Sequence, residues 1–262
     1  LAVSMARLSS GLRVNSAKDD AAGLAIAERM TSQVRGMNVG VRNANDGISM
    51  AQTAEGALGK VGEIFQRMRE LAVQSSNASN SNSDKTSMDT EFGELAKEVQ
   101  RIFSNTTFNG RKIISTDAGA QIFQVGANTA AENQITLTTT NMTTQLDMIA
   151  VAGVDTSGTN RAVITGAAGA VLTVIDQIDV AISKVSNERS ILGASQSRFE
   201  SAISYLQIST ENQTAARSRI MDANFAEETS NLSRSQILSQ AGSAMLAQAN
   251  QLPQSVMALL RG

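Results

Sequence analysis

The chain has 262 residues with 22 Lys and Arg against 24 Asp and Glu, a formal net charge of −2 that offers no basic field for nucleic acid. It contains no His and no Cys, so the usual zinc, haem and redox ligands are missing and Ser-His or Cys-His nucleophilic catalysis is excluded. Hydrophobic residues reach 42% but aromatics only 3%, which describes a core of Ala, Leu, Ile, Val and Met suited to close helix packing.

The chain starts at Leu1 rather than Met, which reads as a trimmed N-terminus. A short amphipathic piece, Met5-Ala6-Arg7-Leu8, runs into a break at Ser9-Ser10-Gly11-Leu12. Asp19 and Asp20 precede an Ala-rich run and are placed to cap a helix and favour its dipole, a better use of the pair than a catalytic dyad. From Ala21 the pattern stays helical for a long way. Within it Ala44, Ile48, Ala51, Ala54, Leu58, Val61, Phe65, Met68 and Ala72 recur about every 3.5 residues, the seam of one helix packed along another. Gly56, Gly59 and Gly62 cost helix propensity and read as a notch for a second backbone. Gly59-Lys60 is no phosphate loop, because the companion Gly, the Ser/Thr and a preceding strand are absent.

Residues 75–83, SSNASNSNS, form a polar loop in which Ser83 can cap the next helix, expected over 84–103 with Phe92, Leu95, Val99 and Ile102 on one face. Two helices joined so briefly fold back antiparallel. Between 105 and 160 the character changes. Asn109-Gly110 is a turn signal, and 121–125 with 134–138 make a hairpin inside a β region at about 113–140, followed by a Thr- and Asn-rich loop over 139–165. A second seam follows: Val171, Ile175, Ile178, Ile182, Val185, Arg189, Leu192, Gln196, Phe199, Ile203 and Leu206. A helix over 171–206 is roughly 53 Å long, against a radius of gyration of about 18 Å for a compact chain of this size. The expected fold is therefore mainly α: a rod-like bundle of long antiparallel helices with a small β-hairpin region.

Residues 223–262 carry a last helix. From Thr229 onward only Arg234 and Arg261 are charged, and the one proline, Pro253, lies here. Leu238, Ala241, Met245, Leu252, Val256 and Leu259 fall on one face, while the outer side is Ser, Gln, Asn and Ala instead of charge. Such a helix asks to be covered, nothing left in the chain is available to cover it, and other copies of the protein are the natural partner. Glu227 and Glu228 read as solvated helix face. No apolar run reaches the ~18 residues of a membrane span, and no secretory signal pattern is present.

These residues resemble bacterial flagellin. The resemblance rests on Arg7-Leu8-Ser9-Ser10-Gly11-Leu12-Arg13-Val14-Asn15-Ser16-Ala17-Lys18-Asp19-Asp20-Ala21-Ala22-Gly23-Leu24-Ala25-Ile26, on Arg67-Met68-Arg69-Glu70-Leu71-Ala72-Val73-Gln74 and on Phe108-Asn109-Gly110. At the end of the chain it rests on Ala216-Arg217-Ser218-Arg219-Ile220, on Gln240-Ala241-Gly242-Ser243-Ala244-Met245-Leu246-Ala247-Gln248-Ala249-Asn250 and on Leu259-Leu260-Arg261. It implies a division into a linker at 1–20, a rod-like domain at 21–222 and a coiled-coil-forming inner-tube helix at 223–262. Flagellins usually begin with a further helix that pairs with the C-terminal one, and many carry outer domains, so this sequence reads as trimmed at its start and without outer domains.

The function implied is a structural subunit that self-assembles into the extracellular flagellar filament for motility, with no enzyme activity, cofactor or metal. The implied partners are other flagellin subunits, an export chaperone at the C-terminal helix, the flagellar export apparatus and cap or junction proteins, with no nucleic acid and no membrane insertion. A toll-like receptor is a further implied partner. Receptor recognition or axial assembly maps onto Arg67, Leu71 and Glu91, an exposed Arg beside an apolar Leu one turn on being a plausible hot spot. The filament-core helix face maps onto Leu238, Ala241, Met245, Leu252, Val256 and Leu259. The alternative is a flagellin-type surface protein that binds glycans or host surfaces through the hairpin and the loop after it, although Phe123 alone offers a stacking ring there. A hook–filament junction protein is a related reading, less well matched by the terminal motifs.

Overall fold

The computed structural model describes residues 2–259, with side chains in the last helix described as far as Ala249. The elements in order are α1 (Ala2–Ser10), α2 (Ala21–Ser75), α3 (Asn82–Asn105), β1 (Thr107–Phe108), β2 (Arg111–Lys112), β3 (Ala120–Gln124), β4 (Gln134–Thr138), α4 (Leu146–Ala152), α5 (Ala168–Met221) and α6 (Phe225–Leu259). The fold is mainly α, as the periodicity predicts. Contacts divide the chain into two compact units, one made of Leu1–Arg35 with Ser209–Gly262 and the other of Gly36–Ile208.

In the second unit α2 and α5 run antiparallel, pinned along their length by Arg69–Asp179 at 2.7 Å and Arg189–Glu55 at 3.0 Å. The α2 seam is buried at Ala44, Ala51, Ala54, Leu58, Val61, Phe65, Met68 and Ala72, with Ile48 half-buried. On α5 the buried set is Val171, Val174, Ile178, Ala181, Val185, Glu188, Leu192, Ser195, Phe199 and Leu206. Every second expected position holds, and four of the intervening ones fall one residue early. Ile175, Ile182 and Gln196 sit half-buried on the flank, and Arg189 is exposed. Small Ala181 and Ser195 replace them in the seam, which suits helices in close approach. Glu188 is admitted because Thr140 donates a 2.7 Å hydrogen bond to its carboxylate, so this buried polar group is not left unpartnered.

Helix α3 begins two residues earlier than its sequence suggests, capped by Ser81 rather than Ser83. Ser81 and Asp84 form a reciprocal capping box, and the serine's hydroxyl and backbone N–H hold the Asp84 carboxyl below its ordinary pKa. Phe92, Ala96, Val99 and Phe103 are buried, whereas Leu95 and Ile102 are half-buried edges of that face. Beyond it, Asn109 (φ 50°) and Gly110 (φ 78°) turn β1 into β2, the pair of positive φ values that a two-residue hairpin loop requires.

β3 and β4 pair antiparallel from Ala120↔Thr138 to Gln124↔Gln134. Val125, Ile135 and Leu137 are buried, and Phe123 meets Phe199 of α5 edge-on at 5.5 Å. The hairpin seats on α2 where glycines remove the side chains. A Cβ at Gly40 would lie 2.2 Å from the Val125 carbonyl oxygen, one at Gly36 would lie 2.7 Å from the Ala127 Cβ, and one at Gly47 would lie 2.6 Å from the Phe199 ring. Asn43 Nδ2 donates to the Gln124 carbonyl at 2.8 Å on the same face. This corrects the expected notch: Gly56 faces open space, and Gly59 and Gly62 meet α5 only at ordinary van der Waals distance.

The stretch expected as loop over 139–165 is also corrected. It contains a 3-10 turn at Met142–Thr144 and α4, whose Met148, Val151 and Ala152 are buried. α4 packs on α3, where Gln100 donates to the Gly153 carbonyl. Further on, Arg161 forms a 2.7 Å ion pair with Asp89, and the Asp89 carboxylate also accepts the Ile164 N–H at 2.9 Å. Ser75 donates to the Ile164 carbonyl, so the segment is strapped to both α2 and α3.

Candidate assembly surfaces

The first unit is organised around the base of α6. Gly11 (φ 72°) ends α1, and the backbone then pairs with the α5–α6 junction: Arg13 N–H donates to the Met221 carbonyl at 2.6 Å, and Ala223 N–H donates to the Gly11 carbonyl at 3.0 Å. The Arg13 guanidinium donates to the Ile220 carbonyl at 2.8 Å, satisfying an orphan acceptor at the C-terminus of α5, where positive charge is favoured. The two aspartates have separate roles. Asp20 caps α2 by accepting the Gly23 N–H at 2.8 Å. Asp19 instead accepts from the hydroxyl and N–H of Ser16 and from the Asn15 N–H, which closes the loop and lowers its pKa.

α1 packs on α6, and Arg7 donates to Glu228 at 2.9 Å. Glu228 is 7% exposed, so it is not the solvated residue its sequence position suggests. The helix to which it belongs is covered at its base by the chain's own N-terminal segment. Farther along, the side chains lie open: Ile237, Leu238, Met245 and Leu246 are 64–68% exposed, and Ala241 is exposed as well. Leu238, Ala241 and Met245 share a face as expected. Leu252, Val256 and Leu259 lie outside the described side chains. Ile237 and Leu246 extend the exposed apolar surface beyond that single face, a feature the 3.5-residue pattern missed.

In the second unit Arg67 and Glu91 are brought together, with the guanidinium donating to Glu91 at 2.8 and 2.9 Å and to Glu70 at 3.0 Å. These carboxylates hold the Arg67 pKa above its ordinary value. Leu71 is 2% exposed. It is a core residue, so of Arg67 and Leu71 only the arginine is available at the surface.

Among the described residues no cluster of acidic side chains could hold a metal ion, and no helix is long and apolar enough to cross a membrane. Comparison with known proteins then decides the family. Residues 1–118 match the bacterial flagellin N-terminal helical region, and residues 175–260 match the bacterial flagellin C-terminal helical region. The chain is 46% identical to a flagellin of Halalkalibacterium halodurans, over 98% of this chain and 90% of that protein. The chain belongs to the bacterial flagellin family. It is also 42% identical to a flagellin of Bacillus subtilis, over 98% of this chain and 91% of that protein. The crystal structure of Bacillus cereus flagellin superimposes with a TM-score of 0.52 at 26% identity, covering 63% of this chain and 88% of that one.

Membership makes this flagellin-family chain a structural subunit of the extracellular flagellar filament, a polymer of flagellin copies that serves motility, and not an enzyme. Nothing favours the surface-adhesin alternative.

Proposed function

We propose that α6 is the element that copies of this chain bury against one another in the filament's inner tube. Residues 21–222 supply the outer domain, and residues 1–20 are the link. The observation that carries this reading is the exposure of Ile237, Leu238, Met245 and Leu246 on a helix with almost no charge. Burying a large aliphatic side chain is worth about 1.5–3 kcal/mol, so several such residues per subunit, repeated along a polymer, give a strong assembly from modest contacts. Contacts that do not close into a ring extend as a helical filament.

The same exposed apolar helix calls for a dedicated chaperone before export, and a chain without Cys cannot be cross-linked by disulfides on its way through the export apparatus to the cap and junction proteins. Arg67 and Glu91 are the candidate axial contact, and a toll-like receptor reading the same face is the second role for it. Leu71 serves that face by packing beneath it.

Seeded polymerisation tests the α6 reading. Leu238→Asp and Met245→Asp are expected to raise the critical concentration for growth on filament seeds at least tenfold. Circular dichroism and the melting temperature of the monomer should not change, because both side chains are already exposed. Normal incorporation of both variants would overturn the proposal.

A further inference from the structure

A second open surface lies in the Gly36–Ile208 unit, lined by none of the residues assigned above. α4 and α5 border a groove of about 340 Å³ lined by Leu146, Asp147 and Ala150 on one side and by Asp176, Gln177 and Val180 on the other. Leu146 is 81% exposed and Val180 50% exposed, so the floor is apolar and open. The rim is acidic. Asp179, one helical turn along α5, is taken by Arg69, but Asp147 and Asp176 form no ion pair among the described residues.

The complement is present on the same chain. At the β1–β2 tip, Phe108-Asn109-Gly110-Arg111-Lys112 carries two cations; the Asp117 carboxylate at the base of the hairpin accepts the Lys112 backbone N–H at 2.8 Å and makes no ion pair with either side chain. Arg111 and Lys112 likewise form no ion pair among the described residues. The tip is a two-residue loop at Asn109 and Gly110, with Phe108 half-buried behind it. An apolar slot with two unpaired carboxylates and a slender hairpin with two unpaired cations are therefore distinct surfaces of one subunit. In a homopolymer such a pair makes a heterologous, head-to-tail contact. Charge complementarity of this kind fixes register and partner orientation more than raw affinity.

We propose that the α4–α5 groove receives the β1–β2 tip of a second copy of this chain, with Arg111 and Lys112 facing Asp147 and Asp176 across an apolar contact at Leu146 and Val180. The contact is separate from α6, and its test is read by cross-linking with α6 unaltered, so failure of either proposal leaves the other standing.

The absence of Cys allows a clean experiment. Leu146→Cys and Asn109→Cys chains are mixed at high concentration and on filament seeds, then treated with a short bis-maleimide. The expected product is the mixed dimer, formed at least fivefold faster than the dimer of Leu146→Cys with Thr53→Cys, an exposed control site on α2. Asp147→Lys with Asp176→Lys in the groove chain is expected to abolish that preference. Adding Arg111→Glu with Lys112→Glu to the tip chain is expected to restore it. Equal rates with the control pair, or reversed groove charges that leave the yield unchanged, would overturn the proposal. So would failure of the doubly reversed pair to recover when both chains keep their wild-type circular dichroism.

Discussion

The seating of the β3–β4 hairpin on α2 sets up a paired test in which the same substitution has opposite signs at two glycines of one helix. At Gly56 a Cβ meets nothing within 4 Å, so Gly56→Ala gains only helix propensity and should stabilise by about 0.5–1 kcal/mol. At Gly40 the Cβ would lie 2.2 Å from the Val125 carbonyl oxygen and 2.7 Å from its carbon. Both are backbone atoms, so no side-chain rotation relieves the clash, and the hairpin must lift. Overpacking of this kind costs roughly 1–3 kcal/mol or more. Lifting also endangers the Asn43 hydrogen bond to Gln124, worth about 1 kcal/mol. Set against the propensity gain, Gly40→Ala should destabilise by about 1–3 kcal/mol, a gap of about 1.5–4 kcal/mol from Gly56→Ala.

Urea unfolding followed by circular dichroism measures both variants, with hydrogen exchange of β3 and β4 as the local readout. Gly40→Ala should lower hairpin protection more than that of α3, because the perturbation acts on the seat. If Gly40→Ala proved as stable as the parent, or Gly56→Ala lost more than about 0.5 kcal/mol, the account of where α2 admits another backbone would be wrong.

Other outcomes can be read in the same assays. Burial alone would raise the Asp89 pKa, but the hydrogen bonds from Arg161 and the Ile164 N–H outweigh it, and the net position is below the ordinary carboxylate value. Its stabilising contribution is thus complete above the unfolded pKa near 4 and is lost as pH falls through the lower folded value. Asp89→Asn should cost about 2 kcal/mol at pH 7, and the difference from the parent should shrink below pH 4 in pH-dependent urea melts. Glu228→Ala removes the partner of Arg7 in a half-buried setting and should strip hydrogen-exchange protection from α1 while leaving α2–α5 unchanged. Leu71→Ala should cost about 2–5 kcal/mol as a core truncation, whereas Arg67→Ala should cost far less, because its ion pairs are half-exposed and screened by solvent. Calorimetry of the two variants checks this ordering.

How much of this was legible in the sequence depended on what each signal depends on physically. The α2 seam could be read because its buried positions are also its apolar ones, from Ala44 to Ala72. The Asn109-Gly110 turn could be read because only a few residue types tolerate positive φ at both positions. α4 was hidden by its shortness: seven residues, with no side-chain hydrogen bond from its N-cap residue Gln145, inside a stretch rich in Thr and Asn. Its spacing of Met148, Val151 and Ala152 is the trace that could have revealed it. Leu71 turned out buried because one helical turn sets it about 40° round from Arg67, toward the seam of Met68 and Ala72, so of the pair only the arginine reaches solvent.

The phase of α5 shows where sequence reasoning reaches its limit. Choosing the most apolar residue in each half-heptad selects Ile175 and Ile182, and the packed helix selects Val174 and Ala181. Hydrophobicity measures how strongly a side chain leaves water, while a seam between close helices also limits how much volume fits. Where those demands conflict, the small residue takes the centre and the large one takes the edge, half-covered. The same conflict on α2 puts glycine at 36, 40 and 47, where a strand end and a ring need the space. On α6 no such conflict arises, because nothing among the described residues covers Leu238 or Met245. Their apolar character is a demand that the proposed burial against other copies of the chain would meet.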